Sequence, residues 1–248
     1  MKYHIKLSQE MLKGTETAIL PGDPGRVEKT AKYIDPNAIF LASNREYTSW
    51  LAQSNNKSIL VCSTGIGGPS LSIAVDELAA LGIKNFLRIG TTGAIQPYIE
   101  IPSMIITTGA VRLDGASKHY APIEYPAVAD LELSNLLVES TKKNNIPYYT
   151  GITASSDTFY PGQERYDTFS KYVIKDFQGS LKEWQQLNVL NFEMESSTLF
   201  TMANAYGLKA ACISAVIVNR ATSEKPDDSI LAQSEENLAK VIKTALGN

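Results

Sequence analysis

Histidine and cysteine are scarce in this sequence: each occurs twice, as His4 and His119 and as Cys62 and Cys212. Two histidines with no cysteine cluster exclude a multi-histidine metal centre and a structural zinc site. Two cysteines are too few for a disulfide framework. Both lie in apolar, strand-like segments, where a buried reduced thiol is expected. No apolar run approaches the ~20 residues that span a bilayer. Met1 to Glu10 is polar and mixed in charge, unlike a secretory signal. No run of like charge is long enough for a basic arm or an acidic tail. A net charge of −3 exerts no bulk pull on nucleic acid or an anionic membrane. A soluble cytoplasmic protein with neither kind of partner is expected.

Several catalytic signatures are also missing. There is no G-x-S-x-G elbow and no G-x-x-x-x-G-K-[ST] phosphate loop. Gly65 to Ser70 (GIGGPS) imitates G-x-G-x-x-G after a strand, but Ser70 stands where the third glycine belongs, so dinucleotide binding is not expected. No repeat, low-complexity stretch or linker divides the chain. Residues 1–248 therefore read as one domain, long enough to bury a core that needs no staples.

What is present is an alternation of short apolar runs and longer helical patterns. Strands are expected at Thr17 to Leu20, Ser58 to Ser63, Lys84 to Ile89, Ser103 to Val111, Tyr148 to Thr153 and Ala210 to Val218. Helices are expected from about Arg26, over Pro69 to Leu81 with Gly82 as its stop, and over Asp130 to Lys143, Glu195 to Tyr206 and Ser229 to Leu246. That alternation predicts an α/β layer fold with a largely parallel or mixed sheet.

Ligands of α/β sheets bind beyond the carboxyl ends of strands, and the chemically informative residues cluster there. Gly22-Asp23-Pro24-Gly25-Arg26 is a glycine turn opening a helix. Its free N–H groups and the Arg26 fork suit an anion, although an ordinary strand-to-helix turn has the same form. Arg88 sits inside an apolar strand, ahead of Gly90-Thr91-Thr92-Gly93. Burying it requires either an anionic ligand or a core carboxylate.

Four motifs carry a resemblance: PGDPGRVEK (Pro21 to Lys29), STGIGGPS (Ser63 to Ser70), RIGTTGAI (Arg88 to Ile95) and EMES (Glu193 to Ser196). In order and spacing they resemble the nucleoside phosphorylase-I family. TASSDTFYPGQERYD (Thr153 to Asp167) and VIVNR (Val216 to Arg220) resemble its uridine-acting branch, and the match runs from about Leu12 to Ala245.

The resemblance implies a three-layer α/β/α fold whose central mixed sheet curls into a distorted barrel. It implies a homohexamer, a trimer of dimers, that splits uridine with inorganic phosphate as co-substrate and no organic cofactor. The implied phosphate ligands are Gly22, Arg26, Arg88 and Thr91, with Arg45 reaching in from a neighbouring subunit. Ribose would lie on Met194 and Glu195, with His4 of the adjacent subunit at the 5′ hydroxyl. Uracil would meet Thr92, Gly93, Phe159, Gln163 and Arg165, against an apolar wall of Ile217 and Val218. Arg88, Glu195, Arg165 and Gln163 are the implied catalytic set, and Arg220 would order the Arg165 loop. Glu46, Ile66 and Ser70 resemble the positions that hold potassium between subunits; oxygen donors suit such a hard cation.

The same resemblance separates the bases. Purine-acting members carry an Asp just after the penultimate strand, where this chain has Asn219-Arg220, and they lack the Gln163 and Arg165 pair. Asn44 departs from the histidine common before Arg45, and an extra residue falls near Asp35 to Ala38. Neither departure falls on an implied pocket residue.

Overall fold

The ladders of the computed structural model, which describes residues 1–222, 224–225 and 227–247, belong to one twisted mixed sheet. Along the chain it runs β1 (Thr17–Pro21), α1 (Val27–Ile34), β2 (Ile39–Asn44), β3 (Tyr47–Ser54), β4 (Lys57–Cys62), α2 (Gly68–Ala79), β5 (Asn85–Ala94) and β6 (Ser103–Leu113). There follow β7 (Ala127–Val128), α3 (Leu131–Lys143), β8 (Tyr148–Ser156), α4 (Ser180–Gln186), β9 (Asn191–Glu193), α5 (Ser196–Tyr206), β10 (Lys209–Asn219) and α6 (Asp228–Leu246).

The strand order is β10-β6-β8-β9-β5-β1-β4-β3-β2, and β10 also pairs in parallel with β5. That extra ladder closes β5, β10, β6, β8 and β9 into a mixed barrel, from which β1, β4, β3 and β2 extend as an open wing. Closure covers the edge that β10 would otherwise present, leaving β2 as the edge of the wing. The α/β class and the barrel with flanking helices agree with the expectation.

Apolar residues fill both faces. Leu71, Val75 and Leu78 of α2 and Leu199, Phe200 and Met202 of α5 pack on one side with Leu20, Leu60 and Phe86. Val27 and Ala31 of α1, Leu137 of α3 and Leu238, Val241 and Ile242 of α6 pack on the other with Ile19, Leu87, Ile106 and Ile213. Cys62 and Cys212 are buried and unpaired, and burial pushes both thiols up to about 11. No described helix is long and apolar enough to cross a membrane.

The largest departure from the expected elements is β5. It continues past Ile89 through Gly90, Thr91, Thr92 and Gly93 to Ala94. β10 follows it residue by residue, with an irregularity between Val216 and Val218, and β9 pairs at Gly93 and Ala94. Glycine normally weakens a strand, but here the ladders on both sides supply the backbone partners. The Thr-Thr pair is therefore part of a barrel stave, not a loop. The β2–β3 hairpin, α4 and β9 are elements beyond the expected set.

Candidate active site

A hollow of about 410 Å³ opens at one end of the barrel. Gly22 and Arg26 reach it from the turn after β1, and Arg88, Thr91, Thr92 and Gly93 from β5. Phe159, Gln163 and Arg165 come from the loop after β8, Met194 and Glu195 from the β9–α5 junction, and Ile217 and Val218 from β10. Its size falls in the range of small-molecule binding sites.

The floor is an ion pair. Arg88 Nη2 donates to Glu195 Oε2 at 2.7 Å, and Nη1 donates to Thr64 Oγ1 at 3.0 Å. Glu195 Oε1 accepts the Gly67 N–H at 2.6 Å. Arg88 is 7% and Glu195 4% exposed, so each charge is desolvated and needs its partner. The core-carboxylate alternative for Arg88 is thus realised, at the edge of the hollow. Glycine at position 22 makes room for this arginine: a Cβ there would lie 3.3 Å from Arg88 Nη2 and 3.2 Å from the Gly65 carbonyl.

Glu193 supports the junction from beneath. Its Oε2 accepts the N–H groups of Glu195 and Ser196, both at 2.8 Å, and its Oε1 accepts from Ser155 Oγ. Two otherwise orphaned donors at the start of α5 are satisfied in this way. Burial, reinforced by the negative charge of Glu195, raises the Glu193 carboxyl above its ordinary value.

The other wall carries planar polar and aromatic groups. The Arg165 guanidinium stacks 4.3 Å from the centre of the Phe159 ring. Gln163 is 3% exposed, and among the described residues no hydrogen bond reaches its side-chain amide. Glu224 accepts from Arg165 Nη1 and, at 2.6 Å, from Arg220 Nε. Arg220 Nη1 in turn donates to the Gln163 carbonyl at 2.7 Å. Burial and then the nearby Arg220 charge lower the Arg165 pKa, with Glu224 acting against them. Among the described residues, Arg165 Nε is buried without a hydrogen-bond partner.

Thr92 lines the hollow, but its hydroxyl donates to the Phe192 carbonyl at 2.6 Å and accepts from Asn191 at 2.8 Å, so it is committed to the barrel. Arg45 and His4 lie outside the hollow of their own chain. Arg45 occupies the tight turn between β2 and β3, exposed, at φ 56°. His4 Nδ1 bonds Glu77 Oε1 at 2.8 Å, and the same carboxylate accepts the N–H groups of His4 and Ile5. Asn44 Nδ2 donates to the His4 carbonyl at 2.6 Å, which fixes His4 and Arg45 on one edge.

Glu46 and Ser70 also meet, with Ser70 Oγ 2.8 Å from Glu46 Oε1 and close to the Thr64 carbonyl. The Glu46 N–H, then Ser70, holds that carboxyl below its ordinary value. Gly65 packs against the Glu46 side chain, and Ile66, three-quarters exposed, borders the hollow.

Three carboxylates were given no role by the sequence: Glu193 and Glu224 at the hollow, and Glu235 of α6, whose Oε1 lies 2.9 Å from Arg26 Nε. Glu193 lies within EMES, yet nothing in that motif separates a backbone support from a ligand group. Glu224 falls in an irregular segment with no periodicity to read. Glu235 stands on the polar stripe of α6, the pattern of a solvated face.

The phosphorylase superfamily model matches residues 16–247. The chain is 57% identical over 243 residues to a uridine phosphorylase of Haemophilus influenzae, covering 98% of this chain and 96% of that protein. A uridine phosphorylase of Escherichia coli is 54% identical with the same coverage. A guanosine phosphorylase of Halorubrum lacusprofundi is 36% identical over 93% of this chain and 91% of that protein.

Proposed function

The chain belongs to the phosphorylase superfamily, and on that premise we propose that it catalyses reversible phosphorolysis of uridine to uracil and α-D-ribose 1-phosphate, a pentosyl transfer of pyrimidine salvage and catabolism. The observation that carries this reading is the pairing of Gln163 and Arg165 with Arg26 and Arg88 in one hollow. Gln163 offers a donor and an acceptor and Arg165 only donors, which matches the O2, N3 and O4 edge of uracil. The full-length uridine phosphorylase relatives support it.

In this reading phosphate lies among the Gly22 backbone, Arg26, Arg88 and the Thr91 hydroxyl, and Arg45 of a second copy completes the set. The arginines hold the nucleophile and offset its charge. Ribose rests on Met194, with Glu195 accepting from its 2′ and 3′ hydroxyls. His4 of the second copy meets the 5′ hydroxyl, its ring orientation set by Glu77. Thr92, Gly93 and Phe159 line the base. A phosphate oxygen bonds to C1′ as the bond from C1′ to N1 breaks, and the electron pair stays on uracil, which later takes a proton from solvent. Arg165 and Gln163 stabilise that negative charge. An arginine does not readily give up a proton, so the leaving group is stabilised without general-acid transfer from a side chain.

His4 and Arg45 acting in trans make a dimer the smallest complete unit. A homohexamer arranged as a trimer of dimers follows the common preference for closed symmetric assemblies. The clustered oxygens of Glu46 and Ser70, with Ile66 alongside, fit potassium between subunits as a structural ion. Residues 1–248 act as one domain, in the cytoplasm.

Uracil release from uridine, followed by ultraviolet absorbance with and without phosphate beside an inosine control, tests the proposal. Phosphate-dependent cleavage of uridine alone is expected. Cleavage without phosphate would make the protein a hydrolase, and cleavage of inosine would refute the base assignment.

A further inference from the structure

Each arginine facing the hollow is paired with a carboxylate, but only the partner of Arg26 lies outside the hollow. Arg88 has Glu195, and Arg165 has Glu224. Arg26 has Glu235 of α6, with Nε 2.9 Å from Glu235 Oε1. Arg26 lines the substrate hollow and also a second hollow of about 250 Å³ between α1 and α6, whose polar lining includes Lys29, Tyr33, Glu235 and Glu236. The Arg26–Glu235 pair is the partition between the two.

Nε of Arg26 is buried and its N–H is not aligned for a hydrogen bond, so the contact is one of charge. Among the described residues Arg26 has no other ion pair and no side-chain hydrogen bond. Its Nη1 and Nη2 atoms therefore remain for a ligand. A guanidinium binds an oxyanion best through two parallel N–H groups, and a free arginine side chain sacrifices much rotamer freedom to present them. A carboxylate behind Nε orients the fork before the anion arrives.

We propose that Glu235 is a positioning residue for phosphate, acting only through Arg26 and linking the C-terminal helix to the anion end of the site. This rests on the phosphorolysis reading above. Glu235 lies on the far side of Arg26 from the base-recognition wall, so it bears on phosphate and not on uridine.

The test is steady-state uridine phosphorolysis by the full-length protein, varying phosphate at saturating uridine and the reverse. For Glu235→Gln, the KM for phosphate rises about five-fold, the scale of losing one partly exposed ion pair, while the KM for uridine changes less than about two-fold. Glu235→Asp, which keeps the charge on a shorter arm, falls between. Glu236→Gln is the control: Glu236 lines the second hollow but pairs with Lys240 at 2.7 Å, and both constants stay at the parent values. In an Arg26→Ala background, Glu235→Gln has no further effect on the phosphate KM, as a double-mutant cycle requires of a residue acting through its partner.

A phosphate KM that falls in Glu235→Gln would show that the carboxylate competes with phosphate, and would overturn the proposal. So would equal changes in both constants, or an effect that persists without Arg26. If Glu235→Gln does not fold, the comparison of Glu235→Asp with its Arg26→Ala double variant decides by the same criterion. The parent enzyme separates the two readings. Uridine cleavage independent of phosphate removes the proposed function and this inference with it, whereas phosphate-dependent cleavage with an unchanged variant removes this inference alone.

Discussion

Asp114 offers a sharp test of how the site is supported. Asp114 is 1% exposed, and among the described residues no cation pairs with its carboxylate. Oδ1 accepts from Ser117 Oγ at 2.8 Å and Ser197 Oγ at 2.6 Å. Oδ2 accepts from the Ser117 N–H at 2.6 Å and Thr198 Oγ1 at 2.8 Å. Ser197 and Thr198 belong to the first turn of α5, beside Glu195, so Asp114 ties the segment after β6 to the helix that presents the Glu195 carboxylate. Burial works to raise the Asp114 pKa, but the bonds from Ser197, Ser117 and Thr198 outweigh it and hold the carboxyl below its ordinary value. In Asp114→Asn the amide keeps the volume and loses the charge. Flipped either way, its nitrogen faces two groups that now donate, and their bonds must turn around or break. Charge-assisted bonds contribute about 1 kcal/mol more than neutral ones, and relief of the buried charge offsets part of the loss. A net destabilisation of about 2–3 kcal/mol follows, a fall in Tm of about 5–8 °C for a chain of this size.

The pH dependence gives the reasoning its sign. A carboxyl lowered by folding contributes stability that is fully present above its unfolded value and is lost as pH falls through the folded one. Chemical denaturation of parent and Asp114→Asn should therefore show a constant gap at neutral pH that closes below about pH 4, where Asp protonates. A gap that stays the same into acid, or a variant as stable as the parent, would refute the claim that these bonds hold an ionised group.

Other perturbations are simpler. Arg165→Ala should lower the rate on uridine by ~10²–10³-fold, the scale of one lost donor to developing charge. Asn44→His should change it far less, and equal effects in the same uracil-release assay would overturn the base pocket assignment. Gly68→Ala would place a Cβ 2.4 Å from Thr198 Oγ1 and 2.9 Å from the Ala116 Cβ. Thr198 is tied to Asp114 and cannot yield, so overpacking should cost about 2 kcal/mol, read as a lowered denaturation midpoint; an unchanged midpoint would mean that α2 slides freely on α5.

The sequence by itself determined the alternation of strands and helices, because hydrophobic period and glycine stops are local properties. It also marked Arg88, because an arginine inside an apolar strand needs an explanation that a surface residue does not, whereas Arg26, Gln163, Arg165 and Glu195 were marked by the resemblance of their motifs to the nucleoside phosphorylase-I family. Tertiary structure decided the rest. Closure of the barrel through β5 and β10 turned Gly90 to Gly93 from a loop into a stave, since ladder partners lie far away in sequence and override local propensity. The same closure committed the Thr92 hydroxyl to Phe192 and Asn191. The supporting carboxylates Glu193, Glu224, Glu235 and Asp114 carry no local signature. Their role is set by which arginine, backbone N–H or hydroxyl the fold brings against them, and that is a property of the packed chain.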